Sequence, residues 1–393
     1  MQPMHDRPRI YLDNAATSWP KPPAVYEAVD RYQRELGAAA GRAAYREAAE
    51  VERLVADARR GVARLIGVED SSRVVFTLNG TDSLNSAIHG VVRPGDHVIT
   101  TVVEHNSVLR PLRYLEETCD VKVTRVPCDA AGVVDPRDIE AAITPQTSLI
   151  AMLHASNVTG ALQPAAEVGR IARERDVLLL LDAAQSIGHL PLSVDELNVD
   201  LLAAPGHKGL LGPLGTGLLY VRPGVENRLT PLRQGGTGTN SEDDVQPLRL
   251  PQKYESGNLN VPGIAGLGAG VTHLLGKGLD EIRQRDEQLT QRLLDGLAAI
   301  EGLTLHGPAQ AAARVGVVSI SIAGYDPQEV SATLDAAYRI QTRSGLHCAP
   351  RMHRALGTFE AGGTVRFSLG HFTTEQEIDT TIAALQEIAA AEI

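Results

Sequence analysis

The sequence has few cysteines, no long apolar run and no apolar leader. Its three cysteines, Cys119, Cys128 and Cys348, are too few and too scattered among 393 residues for a disulfide framework, and they fit a reducing compartment. No stretch approaches the roughly 20 apolar residues of a membrane span, and the N-terminal MQPMHDRPRIYLD has no apolar signal core. We therefore expect a cytoplasmic protein that does not enter a membrane.

Positive charge is also in deficit, since the formal net charge is −11. A chain of this sign is repelled by phosphate backbones and by anionic lipid surfaces. The composition therefore argues against a nucleic-acid or membrane partner. Hydrophobic residues nevertheless make up 43% of the chain, which is enough for a sizeable core.

The length of the chain suits two domains better than one. Apolar segments of strand length alternate with helical patterns up to Pro262-Gly263, where we place a boundary. We predict an α/β domain over residues 18–262, with a mostly parallel mixed sheet flanked by helices, and a smaller α+β domain over residues 263–393. The N-terminal segment 1–17 joins them. Gly217–Val221 is predicted to be antiparallel, because the glycine-rich loop before it is too short for a crossover helix.

The most informative stretch begins with the apolar run Val177–Leu181, which has the length and composition of a strand buried on both faces. Asp182 follows this strand, and Lys208 follows a second apolar run, Leu201–Ala204. Open α/β sheets bind ligands at the carboxyl ends of their strands. An aspartate that keeps a ring nitrogen protonated and a lysine that forms an imine are what pyridoxal phosphate chemistry requires. Each residue alone has an ordinary alternative, a turn cap or a surface lysine, but their order at two strand ends favours the cofactor.

A second pattern predicts an anion site. The apolar run Val74–Thr77 is followed by Asn79–Ser83 and then by a helical pattern. This order brings a glycine, Gly80, and a hydroxyl, Thr81, to the positive end of a helix, where a phosphate group binds well. An ordinary N-cap is the competing explanation for the same residues.

Polar residues also follow other strands of the predicted sheet. His105 follows one strand and Asn157 follows another, so both are expected on the same rim. His105 can stack on an aromatic ring and exchange protons near neutral pH. Arg366 lies between apolar neighbours, so it needs an anion partner. A substrate carboxylate is one such partner, and an internal Asp or Glu is another.

Cys348 lies in the loop Arg343–Pro350, which contains Gly345 and places His347 beside the thiol. A neighbouring cation favours the thiolate, which is the nucleophilic form. A buried structural cysteine is the alternative, and the loop position argues against it. A metal site built from His347, Cys348, His353 and His371 has no spacing typical of zinc, so we predict none.

Taken together, the motifs resemble one known family. YLDNAAT, GTDSLN, EHNS, SNVTG, DAAQ, GHK, RSGLHCAP and VRFSLG occur in the order seen in class-V, fold-type I pyridoxal phosphate enzymes of the cysteine desulfurase and selenocysteine lyase group. The resemblance runs nearly end to end, and the short RSGLHCAP loop is similar to that of the subgroup with a compact, ordered catalytic loop. It implies pyridoxal phosphate as the cofactor. It also implies a homodimer with active sites at the interface, in which Gln234–Asn260 is the segment expected to cross.

The resemblance implies a role for each matching residue of the cofactor site. Lys208 would hold the cofactor as an imine and later carry protons, and Asp182 would pair with the ring nitrogen. Gln185 would bond the ring hydroxyl, and His105 would stack on the ring. The remaining contacts with the cofactor would come from Gly80, Thr81, Asn157, His207 and Asn258.

The resemblance also implies the substrate contacts. Asn157 and Arg366 would position the substrate, with Arg366 taking its carboxylate, and Arg343 would orient the substrate or the loop. Asn14 of YLDNAAT is expected to contact the substrate as well. Cys348 would attack the substrate sulfur and carry it as a persulfide, leaving alanine. A sulfur-acceptor protein is then a possible partner.

Three residues depart from the family pattern, all in the expected phosphate cup. Pro205 stands where the family often has Ser before Gly-His-Lys, and Gly80-Thr81 replaces a Thr-Thr doublet. Asn258 stands where the family usually has a Thr that reaches the phosphate of the neighbouring subunit, and an Asn can still donate through its amide. We therefore expect a differently built phosphate cup.

These features predict a pyridoxal phosphate-dependent cysteine desulfurase that converts L-cysteine to L-alanine. Two alternatives of the same fold are a selenocysteine lyase acting on L-selenocysteine and a class-V aminotransferase. An alternative of another class is a cofactor-free sulfur-relay protein that uses only Cys348. That alternative leaves Asp182, Gln185 and Lys208 without a role.

Overall fold

The computed structural model describes residues 8–41, 44–238, 242 and 244–391. Parts of three predicted segments lie outside these residues: the beginning of the segment 1–17, part of Gln234–Asn260, and the last two residues of the C-terminal domain.

The described residues form thirteen strands and eleven α-helices. The strands are β1 (Ile10–Tyr11), β2 (Val74–Thr77), β3 (His97–Thr101), β4 (Lys122–Val126), β5 (Thr147–Leu153), β6 (Leu178–Asp182), β7 (Leu201–Pro205), β8 (Gly217–Val221), β9 (Leu303–His306), β10 (Val317–Ile322), β11 (Ile340–Gln341), β12 (Arg343–Gly345) and β13 (Thr364–Ser368). The helices are α1 (Pro23–Arg31), α2 (Arg46–Leu65), α3 (Gly80–Val91), α4 (Asn106–Thr118), α5 (Pro136–Ala141), α6 (Ala165–Glu174), α7 (Val261–Lys277), α8 (Leu279–Ala298), α9 (Pro327–Tyr338), α10 (Pro350–Ala355) and α11 (Glu375–Ala390).

The larger sheet has seven strands in the order β2-β8-β7-β6-β5-β3-β4. Every pair is parallel except those of β8, which runs antiparallel to both β2 and β7. The mostly parallel mixed sheet and the antiparallel Gly217–Val221 strand are therefore confirmed. The strands β6, β7 and β8 are buried along their whole length, as expected of strands with helices on both faces.

The C-terminal part has a separate antiparallel sheet in the order β12-β13-β10-β9. Its apolar face packs with residues of α8, α9 and α11 in a core of its own, which includes Leu293, Val318, Leu334, Phe367 and Leu385. This arrangement confirms the predicted smaller α+β unit. The Arg343–Cys348 segment, predicted as a loop, begins instead as strand β12, because Arg343–Gly345 pairs with Thr364–Arg366.

The predicted boundary at residue 262 falls inside α7. The buried side chains Val261, Ile264, Leu267 and Val271 of this helix belong to the same core as the large sheet. The packing therefore favours a boundary nearer Gly278, between α7 and α8. The boundary itself stays a prediction.

The N-terminal segment contacts both units. Strand β1 pairs in parallel with β11, and Asp13 forms a bridge with Ser368 of the small sheet. A few residues later the N–H of Ser18 donates to the carbonyl of His207, at the end of the large sheet. Among the described residues, no helix combines the length and the apolar character needed to cross a membrane.

Candidate active site

A pocket of about 550 Å³ lies at the carboxyl ends of β5, β6 and β7. Eight of the residues predicted from the sequence line it, together with seven others such as Asn79, Ser107 and Pro205. The eight are Gly80, Thr81, His105, Asn157, Asp182, Gln185, His207 and Lys208. The strand ends therefore bring together side chains that are far apart in the sequence.

Lys208 lies just beyond β7, in a turn in which its carbonyl accepts the N–H of Leu211 at 2.9 Å. Burial lowers the pKa of the Lys208 amine to about 8, against the opposing effect of Asp182. The Arg366 and Arg343 charges act in the same direction as burial. A larger fraction of this amine is therefore unprotonated near neutral pH than of an ordinary lysine, as attack on an aldehyde requires.

Asp182 ends β6 and is only 6% exposed. Its Oδ1 accepts the N–H of Ala184 at 2.9 Å, and burial raises the pKa of the carboxyl although Lys208 opposes that shift. A buried carboxylate of this kind pairs strongly with a cationic ring nitrogen. Gln185 lies beside it, and its Nε2 donates to the carbonyl of Ala15 at 3.1 Å.

His105 caps the first turn of α4. Its Nδ1 accepts the N–H of Ser107 at 3.0 Å, so the neutral imidazole carries its proton on Nε2. Burial, followed by the charge of Lys208, lowers the pKa of His105 to about 4. The lowered pKa favours the neutral ring near pH 7, and proton exchange by His105 stays a prediction.

Two polar atoms in the pocket wall are buried without a hydrogen-bond partner, Oδ1 of Asn157 and Nδ1 of His207. Such atoms are uncommon in folded proteins and call for a ligand or a water. The pocket also contains the Thr81 hydroxyl and the first turn of α3. Oδ1 of Asn79 accepts the Asp82 N–H at 2.9 Å, so the N-cap is present, and the positive end of the helix faces the pocket lining at Gly80 and Thr81. An amine, a buried carboxylate, a flat imidazole and an anion-binding turn together fit pyridoxal phosphate.

Cys348 lies in a tight turn between β12 and α10. Both His347 and Cys348 have left-handed backbones, with φ of 47° and 60°, which are unusual for residues other than glycine. The Cys348 carbonyl accepts the N–H of Asn106 at 2.8 Å, and the His347 carbonyl accepts Nδ2 of Asn157 at 2.6 Å. These bonds anchor the loop to the large unit at the edge of the pocket.

The thiol of Cys348 is half-buried, so it is not enclosed in the core. Nη2 of Arg343 lies 3.9 Å from its Sγ. The turn at His347 and Cys348 agrees with the loop predicted for this thiol, and its role at the pocket stays a prediction.

Arg366 is almost fully buried and is held from two sides. Its Nη2 lies 2.7 Å from Oδ1 of Asp13, and its Nη1 donates to the carbonyl of Asn157 at 3.1 Å. The internal ion pair that the sequence left open as an alternative is therefore present. Nε of Arg366 has no partner, so the guanidinium keeps N–H groups that the ion pair does not use.

Five predicted residues do not line the pocket in this chain. Arg343, Cys348 and Arg366 lie in the small unit, and Asn14 and Asn258 lie elsewhere. The Asn14 amide donates to the carbonyls of Tyr11 and Ser368 at 3.2 and 3.0 Å, and its oxygen accepts the N–H of Trp19 at 3.1 Å. These bonds make it a structural link, so its contact with the substrate stays a prediction. Asn258 is exposed and lines a different cleft, as does its neighbour Leu259.

Sequence reasoning missed two polar residues beside the pocket. The Ser107 hydroxyl lies 2.9 Å from Nδ1 of His105 and 2.8 Å from the Thr81 hydroxyl, so it links the imidazole to the anion-binding turn. Glu104 is fully buried, and burial raises its pKa to about 8, to which the charge of Asp182 adds. The signal for both was their position in EHNS, next to His105 at a strand end.

Within the part of the chain that the structure describes, no group of three or more His, Cys, Asp or Glu residues is arranged to hold a metal ion. The imidazole of His371 instead contacts that of His273, with 2.9 Å between their Nε2 atoms. Nε2 of His347 forms a hydrogen bond with the Thr364 hydroxyl, and Nδ1 of His353 forms one with the Thr358 hydroxyl. The four residues weighed as metal ligands therefore have separate partners.

The sequence matches a known protein family along most of its length. The model of the class-V aminotransferase family matches residues 10–381. A probable cysteine desulfurase of Methanothermobacter thermautotrophicus is 39% identical over 388 residues, which cover 98% of this chain and 95% of that protein. The cysteine desulfurase IscS of Dictyoglomus turgidum is 32% identical over 391 residues, with 96% and 94% covered.

Solved structures agree with the sequence comparison. The apo structure of a cysteine desulfurase from Thermococcus onnurineus NA1 superposes with a TM-score of 0.91 at 33% identity, covering 97% of this chain and 94% of that one. The cysteine desulfurase CsdA of Escherichia coli, in an S-sulfonic acid form, gives a TM-score of 0.86 at 28% identity, covering 96% and 94%. The predicted fold-type I architecture is therefore confirmed.

Proposed function

Because this chain belongs to the class-V aminotransferase family, we propose that it is a pyridoxal phosphate-dependent cysteine desulfurase that converts L-cysteine to L-alanine. The observation that carries the proposal is a buried lysine amine and a buried carboxylate in one pocket at the strand ends, with the half-buried thiol of Cys348 next to His347, whose carbonyl is bonded to Asn157 of the pocket lining. The relatives and solved structures with the same architecture are named cysteine desulfurases, which supports this choice among the activities of the family.

When bound, pyridoxal phosphate withdraws electrons from the substrate carbon and so makes cleavage of the neighbouring bonds possible. The residues of this chain supply the binding and the proton transfers. Asp182 holds a negative charge at the floor of the pocket, and His105 covers one face with a neutral ring. Thr81 and His207 offer a hydroxyl and an unpartnered ring nitrogen to the phosphate group.

Lys208 has two tasks in this proposal. Its amine, half unprotonated near pH 8, would hold the cofactor covalently. The same amine would accept and return protons at the substrate carbon atoms when it is free. Burial suits it to both tasks, because a pKa near the working pH allows transfer in either direction.

Cys348 receives the sulfur. The net reaction is L-cysteine plus the Cys348 thiol giving L-alanine plus a Cys348 persulfide, so the S–S bond formed replaces the C–S bond broken and no outside oxidant is needed. Nη2 of Arg343 lies 3.9 Å from Sγ of Cys348 and so helps to orient the thiol. Arg366 retains free N–H groups for the substrate carboxylate while Asp13 and Asn157 fix its plane.

The test is a product assay on purified protein loaded with pyridoxal phosphate. With L-cysteine and a thiol reductant we expect alanine and sulfide in equal amounts. Without reductant, the peptide that contains Cys348 should gain the mass of one sulfur atom. Substitution Cys348→Ala should abolish sulfide release and leave the absorbance of the bound cofactor unchanged.

The matched control is Cys119→Ala, since this free cysteine lies at the end of α4, away from the pocket lining. It should retain full activity. Pyruvate in place of alanine would contradict the proposal and favour an aminotransferase. Sulfide release that survives Cys348→Ala would remove the persulfide step.

We also propose that the protein is a homodimer in which Asn258 of one copy completes the phosphate site of the other. Asn258 lies outside the pocket of its own chain, and large apolar side chains are exposed near the mouth of the pocket and in the loop before Asn258. These are Leu78, Leu232, Val245 and Leu248, each at least 48% exposed. Sedimentation analysis tests this assembly, and a monomer at working concentration would contradict it.

A sulfur-acceptor protein and a cytoplasmic location complete the proposal. The half-buried Cys348 can be reached from outside, as a second protein requires, and all three cysteines are unpaired, as expected in a reducing compartment. Transfer of labelled sulfur from the persulfide to a protein thiol in a cell extract tests the first point.

A further inference from the structure

The carbonyl oxygen of His207, in the peptide that leads to Lys208, is surrounded by donors from one N-terminal segment. The Ser18 N–H donates to it at 3.0 Å, the Ser18 hydroxyl at 3.1 Å and the Thr17 hydroxyl at 3.2 Å. The Lys21 ammonium is a fourth donor at 3.4 Å. A carbonyl oxygen has two lone pairs, so this peptide has more donors than it needs.

Among the residues that the structure describes, the ammonium of Lys21 has only neutral oxygens as partners. Besides the His207 carbonyl, it donates to the Ser18 carbonyl at 3.1 Å and to the Ser18 hydroxyl at 2.9 Å. Burial lowers the pKa of Lys21 to about 8, and no carboxylate offsets this shift. Keeping a cation half-buried without a counter-ion is unfavourable, so the arrangement calls for a reason beyond stability.

The same segment also contacts the other functional side chains. Asp13 pairs with Arg366 on the substrate side, and the Ala15 carbonyl accepts Nε2 of Gln185 at 3.1 Å on the cofactor side. Lys21 lies at the end of this segment, where it meets the turn that carries Lys208. The segment therefore links the parts of the pocket through direct hydrogen bonds.

We propose that Lys21 is a positioning residue for Lys208: its ammonium, together with Thr17 and Ser18, fixes the His207–Lys208 peptide so that the Lys208 amine points into the pocket. This inference rests on the proposed function, in which Lys208 captures the cofactor. Lys21 itself does not line the pocket. Its effect passes through the backbone, because a peptide plane that cannot rotate limits the directions available to the side chain that follows.

The experiment compares Lys21→Met with the unchanged protein, both freed of cofactor. Pyridoxal phosphate is added, and its covalent capture is followed by absorbance and located on Lys208 by borohydride reduction and mass analysis. We expect capture to slow by about tenfold, since small misplacements of a reacting group slow a reaction by up to a hundredfold. In the loaded enzyme, kcat for sulfide release should fall in similar proportion while KM for cysteine stays unchanged.

Lys253→Met is the matched control, because the Lys253 ammonium also donates to a backbone carbonyl, that of Glu226, away from the pocket. It should capture the cofactor at the normal rate. Lys21→Arg, which restores a charged donor, should recover most of the rate. A Lys21→Met protein that behaves like Lys253→Met, or that changes only KM, overturns the inference.

A failure of the proposed function gives a different result, because the unchanged protein would then not capture pyridoxal phosphate at all. If Lys21→Met does not fold, Thr17→Val decides the question. This change removes one donor to the His207 carbonyl and keeps the side-chain shape. Slower capture by Thr17→Val supports the inference, and normal capture overturns it.

Discussion

Lys208 and Cys348 are held by two different kinds of backbone. Lys208 follows a strand in the middle of a seven-stranded sheet, where β6 and β8 flank β7 on both sides. Cys348 lies in a short turn of the small unit, in which two successive residues other than glycine have positive φ. The first group is positioned by a sheet, and the second by a few hydrogen bonds from Asn106 and Asn157.

This difference indicates which part of the site tolerates substitution. We call the part around Lys208 the cofactor half and the part around Cys348 and Arg366 the substrate half. A side chain at the end of a central strand keeps its place as long as the sheet exists, because the whole core supports it. A strained turn persists only while its anchors outweigh the strain. We therefore expect changes near Cys348 to alter sulfur transfer without affecting the capture of the cofactor, whereas changes near Lys208 should alter both.

The largest effect is expected from Lys208→Ala. Without the amine there is no covalent capture, so the absorbance of the bound cofactor and the release of sulfide should both be lost. Absorbance titration with pyridoxal phosphate and a sulfide assay measure the two. Lys253→Ala is the control. Covalent capture that persists in Lys208→Ala would show that Lys208 is not the residue that holds the cofactor.

Arg366→Lys should have the next largest effect. A lysine cannot replace both the Asp13 contact and the Asn157 contact and still offer a planar fork to a carboxylate. We expect KM for cysteine to rise by about tenfold to a hundredfold, since a hydrogen bond to a charged group contributes about 1.5–3 kcal/mol, while the capture of the cofactor is unchanged.

Arg314→Lys is the matched control for that prediction, because Arg314 is also fully buried and is held only by backbone carbonyls, such as those of Pro308 and Val317. It should lower stability without changing KM. An Arg366→Lys enzyme with normal KM and low kcat would show that this guanidinium does not bind the substrate carboxylate.

Gly345→Ala tests the strained turn directly. A Cβ at this position meets no atom within 4 Å, but φ is +106°, so the substitution is opposed by the backbone alone. The added strain, about 1–3 kcal/mol, should slow sulfide release by roughly tenfold and leave cofactor capture unchanged. Gly357→Ala, with φ of +72° and the same open space, is the control and should retain sulfide release. An equal loss of sulfide release in the two variants would show that the effect is not specific to the loop that carries Cys348.

Glu104→Gln should have the smallest effect, visible only as a change of stability with pH. The pKa of Glu104 is raised from 4.5 to about 8 in the folded protein, mainly by burial. Its contribution to stability is therefore fully present below pH 4.5 and is lost as the pH rises towards 8. The glutamine variant cannot lose a proton, so it should gain stability relative to the unchanged protein over this range.

Denaturant unfolding across the same pH range measures this gain, with the exposed Glu301→Gln as control. A difference between Glu104→Gln and the unchanged protein that does not vary with pH would show that Glu104 is ionised in the folded state. In that case the carboxylates of Glu104 and Asp182 would both be negatively charged.

The two halves also differed in how far the sequence could predict them. The apolar runs before Asp182 and Lys208 indicated strands buried on both faces, and the carboxyl ends of such strands meet at one edge, so this half followed from pattern and topology. The antiparallel β8 followed from the length of one loop. These predictions rest on local features of the sequence, the apolar runs and the loop length, which determine the burial and the direction of each strand.

The substrate half depends on contacts between distant residues. No local pattern indicates that Asp13 pairs with Arg366, or that the amide of Asn157 holds the carbonyl of His347. The resemblance to a family supplied the role of Cys348, while the left-handed turn and the strand β12 were missed. Burial of Glu104 was missed for the same reason, since a charged residue next to His105 gives no sign of how deeply it will lie.

One consequence of the pairing between β1 and β11 concerns synthesis on the ribosome. Ile10 and Asp13 are made well before their partners Ile340 and Arg366. The neighbours of the Lys208 strand in the large sheet are all made before either partner. The nascent chain can therefore place its lysine before the contacts that hold Arg366 can form.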